Sequence, residues 1–222
     1  MKDLNTKFRP QDWESFKGQT KTVKVLRNQA MSKSPLAHCY LFHGPSGVGK
    51  TTLARLFFRA LICTKITKNG NPCLKCDNCK NIGFHLTEVN AADNRSIDDI
   101  RALVRSSYLQ PFGKYKGYIL DECHMLTNEA WNCLLKPLEE PPEEVIWFLV
   151  TSKLDKIDTT ILTRCQNYEF EPHASTQIIA RLREIADGIH FKVSDYKLRK
   201  IAGNSGKNLR QAIHQLEQNC QL

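Results

Sequence analysis

Residues 44–51, GPSGVGKT, restrict what this chain of 222 residues can fold into more than any other stretch. They match G-x-x-x-x-G-K-[ST] and stand between an apolar run at 39–42 and a segment at 50–63 where Leu53, Leu56, Phe57, Ala60 and Leu61 recur at helical spacing. Strand, glycine-rich turn and helix in this order make a phosphate cradle. Gly44, Gly47 and Gly49 let the backbone turn tightly enough for its N–H groups to surround phosphate oxygens, and the helix N-terminus adds its positive dipole end. The expected nucleotide contacts are Gly44, Pro45, Ser46, Gly47, Val48, Gly49, Lys50, Thr51 and the adjoining Thr52. Lys50 is expected at the beta and gamma phosphates and the Thr51 hydroxyl on magnesium.

A second half of such a site lies at 118–122. Tyr118, Ile119 and Leu120 read as a strand whose carboxyl end delivers Asp121 towards the metal, through water, and Glu122 towards an attacking water as its base. ATP and Mg2+ are therefore the expected ligands.

Elsewhere the pattern alternates. Residues 8–19 read as an extended lead-in to a helix at 21–31, further strands are expected at 86–90 and 145–151, and further helices at 97–107 and 128–138, the last stopped by Pro141 and Pro142. The run at 145–151 is apolar enough for a strand buried on both faces. Alternation of this kind implies an α/β fold with a parallel sheet flanked by helices. After 170 the texture changes to three short helices, at 175–186, 194–202 and 209–218, with glycines between them. Residues 1–172 are thus expected as the P-loop domain and 173–222 as a small three-helix lid.

Nine cysteines would suit a disulfide framework only in a secreted chain, and MKDLNTKFRP lacks the apolar stretch of a secretory signal. No run of about 18 apolar residues occurs either, so the expected compartment is the cytoplasm, without membrane contact. Cys73, Cys76 and Cys79, with Cys63 upstream, place four thiols in one loop-rich excursion at about 63–82, at the C-x-x-C spacing of structural zinc knuckles. Four sulfurs close the tetrahedron, so Zn2+ would serve folding and not catalysis. Cys39, Cys123, Cys133, Cys165 and Cys220 lack this spacing and read as small buried or incidental residues; His85 and His124 read as structural. Thirty-two Lys and Arg against 23 Asp and Glu give +9, which permits polyanionic partners, but the excess is spread along the chain as a solvated surface would be.

With loop, cysteine excursion and Asp-Glu strand in this order, the chain resembles the N-terminal ATPase of the bacterial DNA polymerase III clamp-loader gamma/tau subunit, of the AAA+ family. The likeness runs nearly end to end, through KFRPQDWESFKGQ at 7–19, AADNRSIDDIR at 91–101, LDECHMLTNEAWNCLLKPLEEPPE at 120–143 and ILTRCQ at 161–166. It implies further roles. Arg164, in the Ser-Arg-Cys-like segment, looks like the arginine finger reaching the gamma phosphate of the next subunit, and Thr151 like the sensor that positions water or gamma phosphate. Arg210 resembles the second sensor, in the lid, while Arg9, Pro10 and Gly18 resemble the segment that packs near adenine. Implied partners are other clamp-loader subunits in a pentamer, the sliding clamp and primer-template DNA. Thr163 replaces the usual Ser before the finger, and Asn90 stands where an acid is common. The sequence ends at Leu222, before the helical collar of the family, so a monomer with weak ATPase activity is expected of the isolated chain. The alternatives are a delta-prime-like stator, an AAA+ helicase loader or initiator, and a module in which nucleotide is only a structural ligand.

Overall fold

The computed structural model describes residues 3–32, 34–93 and 96–220. Asn94 and Arg95 of the 91–101 string, and Leu222, lie outside them. Five parallel strands form one sheet: β1 (Cys39–His43), β2 (Leu86–Asn90), β3 (Lys116–Asp121), β4 (Val145–Thr151) and β5 (Gln166–Glu169). Their order is β2-β3-β4-β1-β5, so β1 and β4 lie inside and pair Cys39 with Trp147 through His43 with Thr151.

That placement explains the uniform hydrophobicity of the inner strands. Every residue of β4 is buried, because helices cover both faces. Alternate side chains serve opposite cores. Tyr40, Phe42, Ile146, Phe148 and Val150 join Leu53, Phe57 and Phe58 on one face, where the rings of Tyr40 and Phe57 meet edge to face at 5.2 Å. Cys39, Leu41, Trp147 and Leu149 join Ile100, Leu103, Ala130 and Leu134 on the other, where Tyr118 stacks on Trp147 at 4.5 Å. At the edges, β2 (LTEVN) and β5 (QNYE) carry polar, partly exposed residues.

The helices are α1 (Leu4–Lys7), α2 (Thr20–Met31), α3 (Lys50–Ile62), α4 (Asp77–Lys80), α5 (Ile97–Ser107), α6 (Asn128–Glu139), α7 (Thr159–Leu162), α8 (Ser175–Gly188), α9 (Asp195–Asn204) and α10 (Leu209–Cys220). Local chemistry sets several of their starts: Ser96 caps α5 by accepting from the Asp99 N–H, Thr127 caps α6 through Ala130, and Ser194 caps α9 through Lys197. Helix α6 carries Pro137 within its last turn and stops two residues before Pro141.

A third cluster joins α8, α9 and α10 through Ile178, Leu182, Ile185, Leu198, Ile201, Ala212, Ile213 and Leu216. Leu4 is buried in this same cluster, and its N–H donates to Glu217 Oε1 at 3.1 Å. A short helix, α1, thus precedes the lead-in at 8–19; Asp3 caps it by accepting from the Thr6 N–H. The last strand, Gln166–Glu169, lies at an edge that tolerates Gln166 and Asn167, whose polarity hides it from a hydrophobic pattern.

Candidate functional site

The loop between β1 and α3 is shaped by two close approaches. Gly44 has φ +133°, and a Cβ there would lie 2.2 Å from the Phe170 carbonyl oxygen. Gly47 has φ +76°, with Asn208 Oδ1 at 2.0 Å from a would-be Cβ. Side chains at either position would fill the cradle or break its turn. Asn208 also caps α10, accepting from the Gln211 N–H at 3.1 Å, so the start of a lid helix leans on the phosphate loop.

Gly49, in the left-handed region, leads into α3, and Phe16 from the lead-in packs directly over it. The Lys50 ammonium is buried and donates to the carbonyls of Gly44 at 2.6 Å and Pro45 at 2.7 Å. Burial lowers its pKa; Glu122 and Asp121 oppose that shift, and Arg210 adds to it. One residue on, the Thr51 hydroxyl donates to Asp121 Oδ2 at 2.8 Å, which joins loop and β3 at one point.

Glu122 turns sharply off β3 with φ +50°, a strained backbone for a residue with a side chain. Its Oε2 accepts from the Ser152 hydroxyl at 2.8 Å and lies 3.4 Å from His124 Nδ1. The His124 Nδ1 is also 3.1 Å from Thr151 Oγ1, and burial lowers the pKa of this imidazole against the pull of Glu122. Thr151 itself is fully buried; its hydroxyl donates to the Lys153 carbonyl at 3.2 Å and accepts from the Lys153 N–H at 3.0 Å.

Two adjoining clefts meet at the loop. One is lined by Ser46, Lys50, Thr51, Thr52, Glu88, Asn90, Asp121, Glu122 and Arg210. The other runs between lead-in and lid past Phe8, Arg9, Pro10, Phe16, Val48, His173 and Arg210. Arg210 thus borders both. Gly18 stands behind the second cleft, where a Cβ would meet the His173 ring at 2.8 Å. Arg164 lines neither cleft: its guanidinium pairs with Glu139 and donates to the Thr160 carbonyl. Phe16, His124, Ser152, His173 and Asn208 are not assigned to the site by their sequence context. Only the adjacency of His124 and Ser152 to Glu122 and Thr151 offers any signal for them.

An extended cradle, a buried ammonium, and a hydroxyl and carboxylate in contact are the donor set for a magnesium-bound polyphosphate. The residues present fit that ligand.

The cysteine excursion forms a second centre. The Sγ atoms of Cys63, Cys73, Cys76 and Cys79 all lie within 4.8 Å of one another. Tetrahedral zinc, with Zn–S bonds of about 2.3 Å, requires S···S edges of about 3.8 Å, so the cage is close to the metal-bound size. Backbone N–H groups already serve the sulfurs: Cys73 N–H donates to Cys63 Sγ at 3.2 Å and Cys76 N–H to Cys73 Sγ at 3.3 Å. Burial opposes ionisation of Cys76, but the Cys79 and Thr64 backbone donors outweigh it and bring the thiol down to about 6. The residues fit zinc. They also anchor the nucleotide half of the molecule, since Asn78 donates to the Ile62 carbonyl at the end of α3 and Trp13 Nε1 to the Gly70 carbonyl, at 2.8 and 2.7 Å. Metal analysis is expected to find one zinc per chain, and Cys76→Ser to lower the thermal midpoint by roughly 5–10 °C, at about 2–4 °C per kcal/mol. Far less than one zinc in well-folded protein would contradict the assignment.

Sheet order, phosphate loop and acid pair together define the class: a P-loop AAA+ fold. The sequence model of the family described as "DNA polymerase III, delta subunit" matches residues 18–174. The chain belongs to this family of DNA polymerase III subunits, and its relatives within it include the gamma/tau type. It is 38% identical over 216 residues to the DNA polymerase III subunit tau of Bacillus subtilis, covering 95% of this chain and 38% of that protein. It is 39% identical over 217 residues to the DNA polymerase III subunit gamma/tau of Mycoplasma genitalium, covering 96% of this chain and 36% of that one. The chain therefore spans little more than a third of these relatives. Among solved structures, the RuvB Holliday junction branch migration motor of Thermotoga maritima matches with a TM-score of 0.71 over 95% of this chain and 64% of its own, at 19% identity, a likeness of fold.

Proposed function

We propose that the chain is the ATP-hydrolysing motor portion of a clamp-loader subunit, which uses ATP binding and hydrolysis to place sliding clamps on primed DNA during replication. The observation that carries this reading is the 2.8 Å contact between Thr51 and Asp121, in a cleft that Lys50 and Glu122 also line. Residues 1–172 act as the ATPase domain and 173–222 as its lid, with Arg9, Pro10 and Gly18 shaping the base end of the cleft and Arg210 reaching the phosphates from α10.

Thr51 and Asp121 would hold magnesium, which would supply the positive charge that offsets the phosphates. Lys50 exchanges its loop carbonyls for beta and gamma phosphate oxygens, a move its lowered pKa favours because the buried ammonium gains charged partners. Glu122 orients water and takes its proton as the water attacks, while Ser152 and His124 hold the carboxylate aimed. Thr151 keeps that end of β4 fixed, and Arg164 completes a neighbour's site.

The complete set Lys50, Thr51, Asp121 and Glu122 favours a hydrolysing subunit over a stator of the delta-prime kind, and the cysteine cage with Thr163, Arg164 and Cys165 favours a clamp loader over a helicase loader. Zn2+ is structural. Other clamp-loader subunits, the clamp and primer-template DNA are the partners, in the cytoplasm; among the described residues no helix is long and apolar enough to cross a membrane. The test is ATP hydrolysis by the chain mixed with candidate partner subunits, with and without clamp and primed DNA: stimulation by both is expected, and indifference to both would leave nucleotide as a structural ligand.

A further inference from the structure

Three cysteines outside the zinc cage meet in the core on one face of the sheet. Cys39 opens β1 and is buried; Cys123 follows Glu122 and is buried; Cys165 follows Arg164 and is half-buried, packed against the cluster that holds the other two. The start of the pairing between β1 and β5 brings two of them near each other. Strand β5 pairs with β1 in parallel from Tyr40 opposite Gln166, and Cys39 and Cys165 are the residues directly before that first pair, Cys165 in the bend that leads into β5. Paired strands lie about 4.8 Å apart, inside the Cα separation of about 4.4–6.8 Å that a disulfide spans, and both thiols pack into the same core. Burial, and next to it the Cys165 thiol, pushes the Cys39 thiol well up, with Cys123 adding to the effect.

We propose that Cys39 and Cys165 are a modification site: an oxidisable thiol pair that a peroxide converts to a disulfide tying the arginine turn to β1. Cys165, the partly accessible member, is the attacking sulfur. Its thiolate displaces one oxygen of the peroxide as water and becomes a sulfenic acid; the Cys39 sulfur then attacks Cys165 and the hydroxyl leaves as a second water. In sum two thiols lose two hydrogens and one hydrogen peroxide is reduced to two waters. Cys123, in the turn after β3, acts on the Cys39 thiol only through space, whereas Cys165 also hydrogen-bonds to it, so Cys165 is the nearer partner.

The bond would join two functional segments. Strand β1 runs straight into the phosphate loop at Gly44, and Cys165 is bonded in sequence to Arg164, so oxidation would restrict the arginine turn relative to the loop strand. The chemistry does not depend on the nucleotide reading, and its test does not use turnover.

Zinc-loaded protein, reduced and then exposed to dilute hydrogen peroxide, is digested without reductant and mapped by mass spectrometry. The expected product is a peptide pair linked through Cys39 and Cys165, lighter by two hydrogens than the free peptides and split by dithiothreitol. In Cys39→Ala the link cannot form, and Cys165 is expected to accumulate as a sulfenic acid trapped by dimedone. The proposal is overturned if wild-type Cys165 accumulates the same dimedone adduct without a link to Cys39, if it links to Cys123 in preference, or if it stays reduced while other thiols oxidise. The wild-type map decides the matter alone if Cys39→Ala folds poorly.

Discussion

Glu122→Gln is expected to keep MgATP binding and lose turnover by roughly 10²–10⁴-fold, the usual contribution of a positioned general base. The substitution changes charge and basicity while keeping shape, and the Gln carbonyl oxygen can still accept the Ser152 hydroxyl that now reaches Glu122 Oε2 at 2.8 Å. Phosphate contacts rest on Lys50 and the loop, which the change does not touch. Steady-state hydrolysis and calorimetry on the same preparation separate the two effects. Turnover equal to wild type would remove Glu122 from the role of base.

The second large effect is conditional on company. Arg164→Ala is expected to leave the isolated chain unaltered, since its guanidinium is occupied by Glu139 and the Thr160 carbonyl and lines neither cleft. In an assembly with partner subunits the loss is expected to reach about 10³-fold or more, because a cation supplied across an interface meets charge that develops only in the transition state. The exposed pair with Glu139 contributes little to stability, so its loss is not a competing explanation. Equal loss in the lone chain and in the assembly would contradict a role in trans.

Those two residues differ in how far the sequence announces them. Glu122 follows an apolar strand ending in Asp121, and β3 lies inside the sheet, so hydrophobicity and acidity mark it together. Strands β1 and β4 are legible for the same reason: burial on both faces demands uninterrupted apolar residues, and the GPSGVGKT turn identifies α3 as the helix after β1. The cysteine cage is legible because its ligands are local, three of them within seven residues.

The parts that hid are assembled over distance. Phe16 reaches the loop at Gly49, Asn208 arrives at Gly47 from the opposite end of the chain, and no local pattern joins either pair. His173 carries nothing in its own neighbourhood to predict that it would be buried against Gly18. Helix α1 is a single turn, too short to show a period, and it is held by Leu4 packing on residues about two hundred positions away. Strand β5 hid through its polarity at an edge, where solvent satisfies groups that a core would not.

Titration of MgATP into the folded, zinc-loaded chain by calorimetry, beside Lys50→Ala, asks whether the phosphate loop holds a triphosphate. A saturable heat at one site per chain in the wild type, lost in Lys50→Ala, is the predicted result. No heat in the wild type, or the same heat in the variant, would contradict a triphosphate seated between the loop and Asp121.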